Sequence, residues 1–125
     1  MKGYAETDVP AGLPRILSFG SGASQSTYQL AIDPDLECFV GHFPGRPVLA
    51  GIVQVHWAVV FSGTCFGLKR VPVQIKRLKF KNVVVPPAIL ELSLVRVTEI
   101  DVTFTYIGAG GTCSEGRLIF PGMLP

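Results

Sequence analysis

The chain contains two histidines, His42 and His56, and both lie near the centre of the sequence. The backbone immediately after His42 is restricted by two prolines and a glycine, Pro44, Pro47 and Gly45. A histidine held in a stiff loop directly ahead of a helix is suited to proton transfer. The alternative interpretation is a loop histidine that only hydrogen-bonds to the backbone.

Gly51 could supply a second chemical group, because it stands where this loop meets a predicted helix. A helix N-terminus presents backbone N–H groups that have no partner within the helix. A glycine there has no side chain to block approach, which suits binding of a carbonyl or an oxyanion. We find no Ser-His-Asp order, metal-ligand cluster or dinucleotide-binding fingerprint, and we expect neither a metal nor another cofactor.

The elements that position these residues are predicted from the apolar pattern. Residues 52–66 are apolar almost all round, which is typical of a helix buried on most sides, and Gly67 suits a C-terminal cap. Alternating apolar residues predict strands at 14–19, 26–32, 73–85, 89–98, 102–106 and 112–120. The apolar residues of 73–85 change parity near Lys76 and Arg77, which predicts a β-bulge. The fold class is therefore α+β, with an antiparallel sheet of five or six strands around one long helix.

Length and composition favour one domain that associates with a second copy. The 125 residues make a single domain, 1–125, in which residues 1–13 form a loose N-terminal arm. Charged residues are 16% of the chain, below the roughly 25% of ordinary soluble domains, which indicates a further interface. A 15-residue helix is about 22 Å long, and four or five curved strands could cover only part of its circumference. We therefore expect a homodimer or a higher assembly of dimers.

The remaining composition excludes several classes of protein. A net charge of +2 gives no support for nucleic-acid binding. The three cysteines, Cys38, Cys65 and Cys113, have no metal-like spacing and are predicted to be reduced and buried. The N-terminus lacks the apolar region of a signal peptide, and the longest apolar stretch is too short to span a bilayer. We expect a soluble, cytoplasmic protein.

The run from His42 to Gly51, His-Phe-Pro-Gly-Arg-Pro-Val-Leu-Ala-Gly, resembles the signature of the β-hydroxyacyl-acyl-carrier-protein dehydratases. Those are hotdog-fold enzymes of bacterial fatty-acid synthesis. Residues 53–58 resemble the dehydratase-like branch associated with aryl polyene synthesis, and residues 78–87 resemble the family's strand after the helix. The resemblance implies a hotdog fold and the dehydration of 3-hydroxyacyl thioesters on acyl carrier protein to trans-2-enoyl thioesters.

The resemblance also implies a role for each matched residue. His42 would take the α-proton, and the Gly51 N–H would hold the thioester carbonyl. The peptide between His42 and Phe43 would be strained or cis. Family members protonate the departing hydroxyl with a carboxylate fourteen positions after the histidine, on the other subunit. This sequence has His56 there, and Ala50 replaces the family's proline before the glycine.

His56 can be interpreted in two ways. An imidazolium is a competent acid near neutral pH. Burial and a second histidine nearby would disfavour two charged rings, so we expect His42 and His56 to share one proton. The alternative is a satisfied core histidine that has lost the catalytic role.

Further residues are assigned to substrate and carrier binding. We expect Phe43, Pro44, Val48 and Trp57 to line an acyl tunnel; for Trp57 the alternative is to fill the core or an interface. Six of the eleven basic residues lie within 69–81 and would dock the acidic carrier: Lys69, Arg70, Lys76, Arg77, Lys79 and Lys81. A solvated strand edge protected by lysines is the alternative, and nucleic acid fits less well because aromatic residues are few.

Two other functions fit the same residues. In a hotdog acyl-thioesterase, the Gly51 N–H would polarise the carbonyl and water would attack it. In a non-catalytic acyl-binding subunit, the chain would pair with an active relative.

Overall fold

The computed structural model describes residues 12–40, 47–68 and 71–122. These residues form one α-helix, six strands and a short 3-10 turn at Glu37–Phe39. The helix α1 spans Gly51–Phe66. The strands are β1 (Arg15–Ser21), β2 (Gln25–Ile32), β3 (Gln74–Phe80), β4 (Ala88–Arg96), β5 (Asp101–Gly108) and β6 (Gly111–Ile119).

The strands make one antiparallel sheet in the order β1-β2-β4-β5-β6-β3. Three pairs of consecutive strands are neighbours, but β3 lies at the opposite edge from β1, beside β6. The chain therefore leaves β2, passes through α1 and enters the sheet again at its far edge. The predicted α+β architecture with a six-stranded sheet is confirmed.

The core lies between α1 and the inward face of the sheet. Its large side chains follow the predicted alternation on β4 and β5 and meet one face of the helix. Burying each such side chain stabilises the fold by roughly 1.5–3 kcal/mol. The fully buried members include Leu90, Leu92, Leu94, Val102, Phe104, Tyr106, Trp57 and Phe61.

The helix is buried on most sides, as its apolar sequence predicts. Trp57, Ala58 and Phe61 are buried, and within α1 only Ile52, at 79%, and His56 are exposed. The sheet covers one face of α1, and the face that carries Ile52 and His56 has no cover within the described residues.

The bulge in β3 is confirmed, but the predicted length of this strand is wrong. The pairing of β3 with β6 shifts register between Lys76 and Lys79. β3 then ends at Phe80 rather than near residue 85, because the next two backbone N–H groups both donate to Cys113 O. Val84 O instead accepts from Leu49 N at 2.8 Å, which joins this segment to the residues ahead of α1.

The described end of the N-terminal arm packs against the helix. The indole N–H of Trp57 donates to Gly12 O at 3.0 Å, and Leu13 is buried in the core. The rest of the predicted arm, residues 1–11, lies outside the described residues. Cys38, Cys65 and Cys113 are free thiols; Cys113 is buried as predicted, whereas Cys38 and Cys65 are only partly buried. No helix in the described ranges is long and apolar enough to cross a membrane.

Candidate active site

The N-terminus of α1 is the centre of the candidate site. Gly51 is its first helical residue, and Ala50 precedes it in an extended conformation, with φ −63° and ψ 143°. Alanine has no side-chain acceptor, so Ala50 does not cap the helix. The Gly51 N–H therefore lies at the positive end of the helix dipole without a capping side chain, an arrangement suited to a carbonyl oxygen that gains negative charge.

Phe80, at the end of β3, packs against this glycine. A Cβ atom added to Gly51 would lie 2.5 Å from Cε1 and from Cζ of the Phe80 ring. Only glycine therefore lets the ring and the first turn of α1 approach this closely. Phe80 is also 53% exposed, so it can contact a molecule bound at Gly51. The sequence carries only one signal for Phe80, which is an aromatic side chain among basic residues.

A buried polar cluster fixes the first turn of α1 to the sheet. Gln54 donates from Nε2 to Leu49 O at 3.2 Å and accepts at Oε1 from Ser114 Oγ at 2.6 Å. The Tyr106 hydroxyl donates to the backbone oxygen of Gln54 at 2.7 Å. Complete burial raises the pKa of Tyr106 well above its ordinary value, so the phenol stays a neutral donor. Gln54 is a polar residue within an apolar helix sequence, but that sequence does not identify its partners.

Of the two histidines, the structure describes His56 but not His42. His56 lies on α1 four residues after Ile52, on the exposed side of the helix. The interpretation of His56 as a core histidine is therefore wrong. His42 lies outside the described residues, together with Phe43, Pro44 and the predicted strain at the His42–Phe43 peptide. Their part in the site stays a prediction.

The other expected tunnel residues differ in accessibility. Val48 is exposed beside the start of α1 and is available to a ligand. Trp57 is 1% exposed, and Gly12 O already accepts its indole N–H. Within the single chain, Trp57 is part of the core.

The basic residues of β3 form an exposed edge. Lys76, Arg77 and Lys79 are exposed, and no strand in the described ranges pairs with the outer edge of β3. Lys81 follows the strand and bridges Glu115 at 2.9 Å; this ammonium holds the pKa of Glu115 below its ordinary value. The structure thus has the lysine-protected edge that was the alternative to carrier docking.

Two of the basic residues expected to dock the carrier, Lys69 and Arg70, fall outside the described residues. Among the residues described, no group of three His, Cys, Asp or Glu side chains could hold a metal ion.

Comparison with known proteins identifies the family of the chain. Residues 20–117, which include His42, Gly51 and His56, match the family of ApeI-like dehydratases, described as ApeI dehydratase. The structure is similar to the dehydratase heterocomplex ApeI:P from Xenorhabdus doucetiae, with a TM-score of 0.80 and 26% identity, covering 87% of this chain and 98% of that one. The search of curated proteins found no match.

Two further solved structures share the fold of the chain. An uncharacterized protein from Erwinia carotovora subsp. atroseptica has a TM-score of 0.77 and 28% identity, covering 90% of this chain and 99% of that one. The dehydratase domain of the CurF module of curacin polyketide synthase shares the fold alone, at 10% identity and a TM-score of 0.67, covering 90% of this chain and 44% of that one. The chain has the hotdog fold and belongs to the ApeI-like dehydratase family.

Proposed function

We propose that this protein dehydrates 3-hydroxyacyl thioesters carried on acyl carrier protein, giving trans-2-enoyl thioesters in fatty-acid-like or polyene synthesis in the cytoplasm. The observation that carries the proposal is the uncapped N-terminus of α1 at Gly51. It lies inside the segment that matches the ApeI-like dehydratases, and a backbone donor there suits a thioester carbonyl.

In the proposed mechanism, each residue handles one part of an elimination. His42 takes the α-proton, and the Gly51 N–H donates to the thioester oxygen as it becomes enolate-like. His56 gives a proton to the 3-hydroxyl, the C–O bond breaks, and water leaves. The electron pair of the broken C–H bond becomes the new double bond. The position of His56 on the open face of α1 supports this role, because an imidazole there can face a site shared with a second copy.

We also propose that the working form is a homodimer, or an assembly of dimers, in which a second copy covers the open face of α1 and the exposed apolar side chains beside it, and leaves the basic side chains of β3 accessible. Exposed apolar side chains near the edge strand and the helix N-terminus support this: Ile52, Val73, Ile75, Leu78 and Phe80. Each site would then use His42 of one chain and His56 of the other.

Substrate binding follows from the same arrangement. Phe43, Pro44, Val48 and Trp57 would form the acyl tunnel, with Val48 in direct contact and Trp57 supporting it from the core. The basic residues, Lys69, Arg70, Lys76, Arg77, Lys79 and Lys81, would attract the acidic carrier protein. The exposure of Lys76, Arg77 and Lys79 supports this docking role.

The test is incubation with a panel of 3-hydroxyacyl carrier proteins, followed by intact-mass measurement. The proposal requires the loss of one water from at least one substrate, and His42→Ala and His56→Ala should each slow that loss by about 10²–10⁴-fold. Release of free carrier thiol would instead identify a thioesterase. Carrier binding without either reaction would identify a non-catalytic subunit, an alternative favoured by the similarity to a dehydratase heterocomplex.

Carrier docking makes a separate prediction. Reversing Lys76 and Arg77 to glutamate should lower kcat/KM for carrier-bound substrate by about tenfold and flatten its dependence on salt, because steering by the basic edge is lost. The same variant should keep its activity on a small pantetheine thioester. An equal loss on both substrates would mean that the substitutions damage the site and not the docking.

A further inference from the structure

We propose that Gln54 is a positioning residue, which sets the location of the Gly51 N–H by tying the segment ahead of α1 to the first helical turn and to the sheet. Its significance for turnover rests on the proposed function. The positioning itself rests on hydrogen bonds among described, buried groups.

The side chain of Gln54 closes a short loop around Gly51. Its Nε2 donates to Leu49 O at 3.2 Å, and Gly51 lies in the chain between these two residues. Its Oε1 accepts from Ser114 Oγ on β6 at 2.6 Å. Gln54 and Ser114 are both buried, so water cannot replace either bond without a rearrangement of the core.

These contacts also determine the orientation of the amide. A backbone carbonyl only accepts, so the group that faces Leu49 O must be the NH₂ of Gln54. The amide oxygen then faces Ser114, whose hydroxyl can donate. Glutamine supplies a donor and an acceptor at once. Methionine and leucine supply neither, and would leave Leu49 O and Ser114 Oγ unpaired in the core.

Leu49 is held from its other side as well. Its backbone N–H donates to Val84 O at 2.8 Å, and its side chain is buried. Leu49 is thus fixed at its N–H by the segment after β3 and at its carbonyl by Gln54. Because Gly51 is two residues further along, loss of the Gln54 bond releases the chain directly ahead of the proposed oxyanion donor. Misplacement of a donor by about 1 Å can cost up to 10²-fold in rate.

Tyr106 provides a matched control within the same cluster. Its hydroxyl donates to the backbone oxygen of Gln54 at 2.7 Å and is fully buried. Tyr106→Phe therefore removes a buried hydrogen bond to the same residue, but leaves the Gln54 bond to Leu49 in place. A merely structural role predicts similar effects of Tyr106→Phe and Gln54→Met, whereas a positioning role predicts different effects.

The experiment compares Gln54→Met and Tyr106→Phe in the full chain. We measure kcat and KM on a 3-hydroxyacyl carrier protein, unfolding by denaturant, and the ¹⁵N–¹H resonance of the Gly51 amide. Gln54→Met is expected to lower kcat about tenfold or more with little change in KM, and to shift the Gly51 resonance. Tyr106→Phe, which leaves the Gln54 bond to Leu49 O in place, is expected to lower the denaturant midpoint comparably, but to lower kcat and shift the Gly51 resonance much less than Gln54→Met does.

Equal effects of the two variants on kcat, in proportion to their loss of stability, would overturn the inference. If Gln54→Met does not fold, Ser114→Ala replaces it, because it removes the donor that holds the amide oxygen and so weakens the bond to Leu49. An unshifted Gly51 resonance in the variant that folds would also overturn it. A wild-type protein inactive on every substrate would contradict the proposed function alone, and the Gly51 resonance would still decide the role of Gln54.

Discussion

Single residues show which functional signals a sequence carries. Gly51 was identifiable because a glycine between a stiff loop and an apolar run is unusual, and the structure places it at the start of α1. Phe80, which packs against Gly51, and Ser114, which bonds to Gln54, were not identifiable as partners of the first turn of α1. They lie 29 and 63 positions after Gly51 along the chain, on β3 and β6, which pair at the edge of the sheet.

Packing against Phe80 requires a glycine at position 51, and this requirement can be tested separately from the proposed binding of the thioester carbonyl. In Gly51→Ala, the new methyl would lie 2.5 Å from the Phe80 ring, which must move. Because the ring is half exposed and can rotate, we expect the free energy of unfolding to fall by only about 1 kcal/mol.

The double variant Gly51→Ala/Phe80→Ala tests this cause. With the ring removed, the added methyl should no longer destabilise the protein relative to Phe80→Ala alone, as measured by denaturant unfolding. An undiminished penalty in the Phe80→Ala background would mean that some other contact requires glycine. Dehydration assays on the same proteins separate packing from chemistry, since relief of the clash restores stability whether or not turnover returns.

At the scale of elements, alternation and glycine placement predicted the strands and the helix well. The predicted helix, 52–66, differs from α1 by one residue, and the parity change near Arg77 marked a real bulge. The end of β3 was not predictable, because valines continue the strand pattern to Val85. Those residues pair elsewhere: Cys113 O holds the two residues after Phe80, and Val84 joins the segment ahead of α1.

The bulge makes a prediction about stability. Arg77 has a φ of 54°, in the left-handed region, which costs a non-glycine residue roughly 1–2 kcal/mol. Arg77→Gly removes this cost but adds backbone entropy to the unfolded chain, so we expect a gain of up to about 1 kcal/mol in the free energy of unfolding. Lys76→Gly is the matched control, since it removes one positive charge from the neighbouring position of β3.

Lys76→Gly should destabilise the protein by about 0.5–1 kcal/mol, because glycine weakens a strand whose backbone needs no positive φ. The opposite order of the two variants in denaturant unfolding would show that the left-handed conformation of Arg77 is not what limits the stability of this edge.

At the scale of the whole molecule, the sequence predicts that one sheet cannot enclose the whole helix, and the structure shows which face of α1 stays open. Core residues on β4 and β5 cover one face of α1, while Ile52 and His56 stay exposed on another. The edge strand β3 is exposed along its whole length. No spacing rule could predict that β3 pairs with β6, because that contact depends on the path of the chain across the sheet.

This arrangement leads to a prediction about two copies of the chain. If each site takes His42 from one chain and His56 from the other, homodimers of His42→Ala and of His56→Ala should both be nearly inactive. A mixed dimer then contains one site with both histidines and one with neither. After subunit exchange at equal concentrations, half of the dimers are mixed, so about a quarter of wild-type turnover should return.

The control mixes each variant with itself under the same exchange conditions, and mass spectrometry of differently tagged chains measures the fraction of mixed dimers. Recovery that rises with this fraction supports a site shared between subunits, because neither variant can supply the missing group to its own copy. Full exchange without recovery would mean that both histidines of a site come from one chain. Near-wild-type activity of His56→Ala alone would remove His56 from the mechanism, and the protonation of the leaving hydroxyl would then fall to water or to His42 itself.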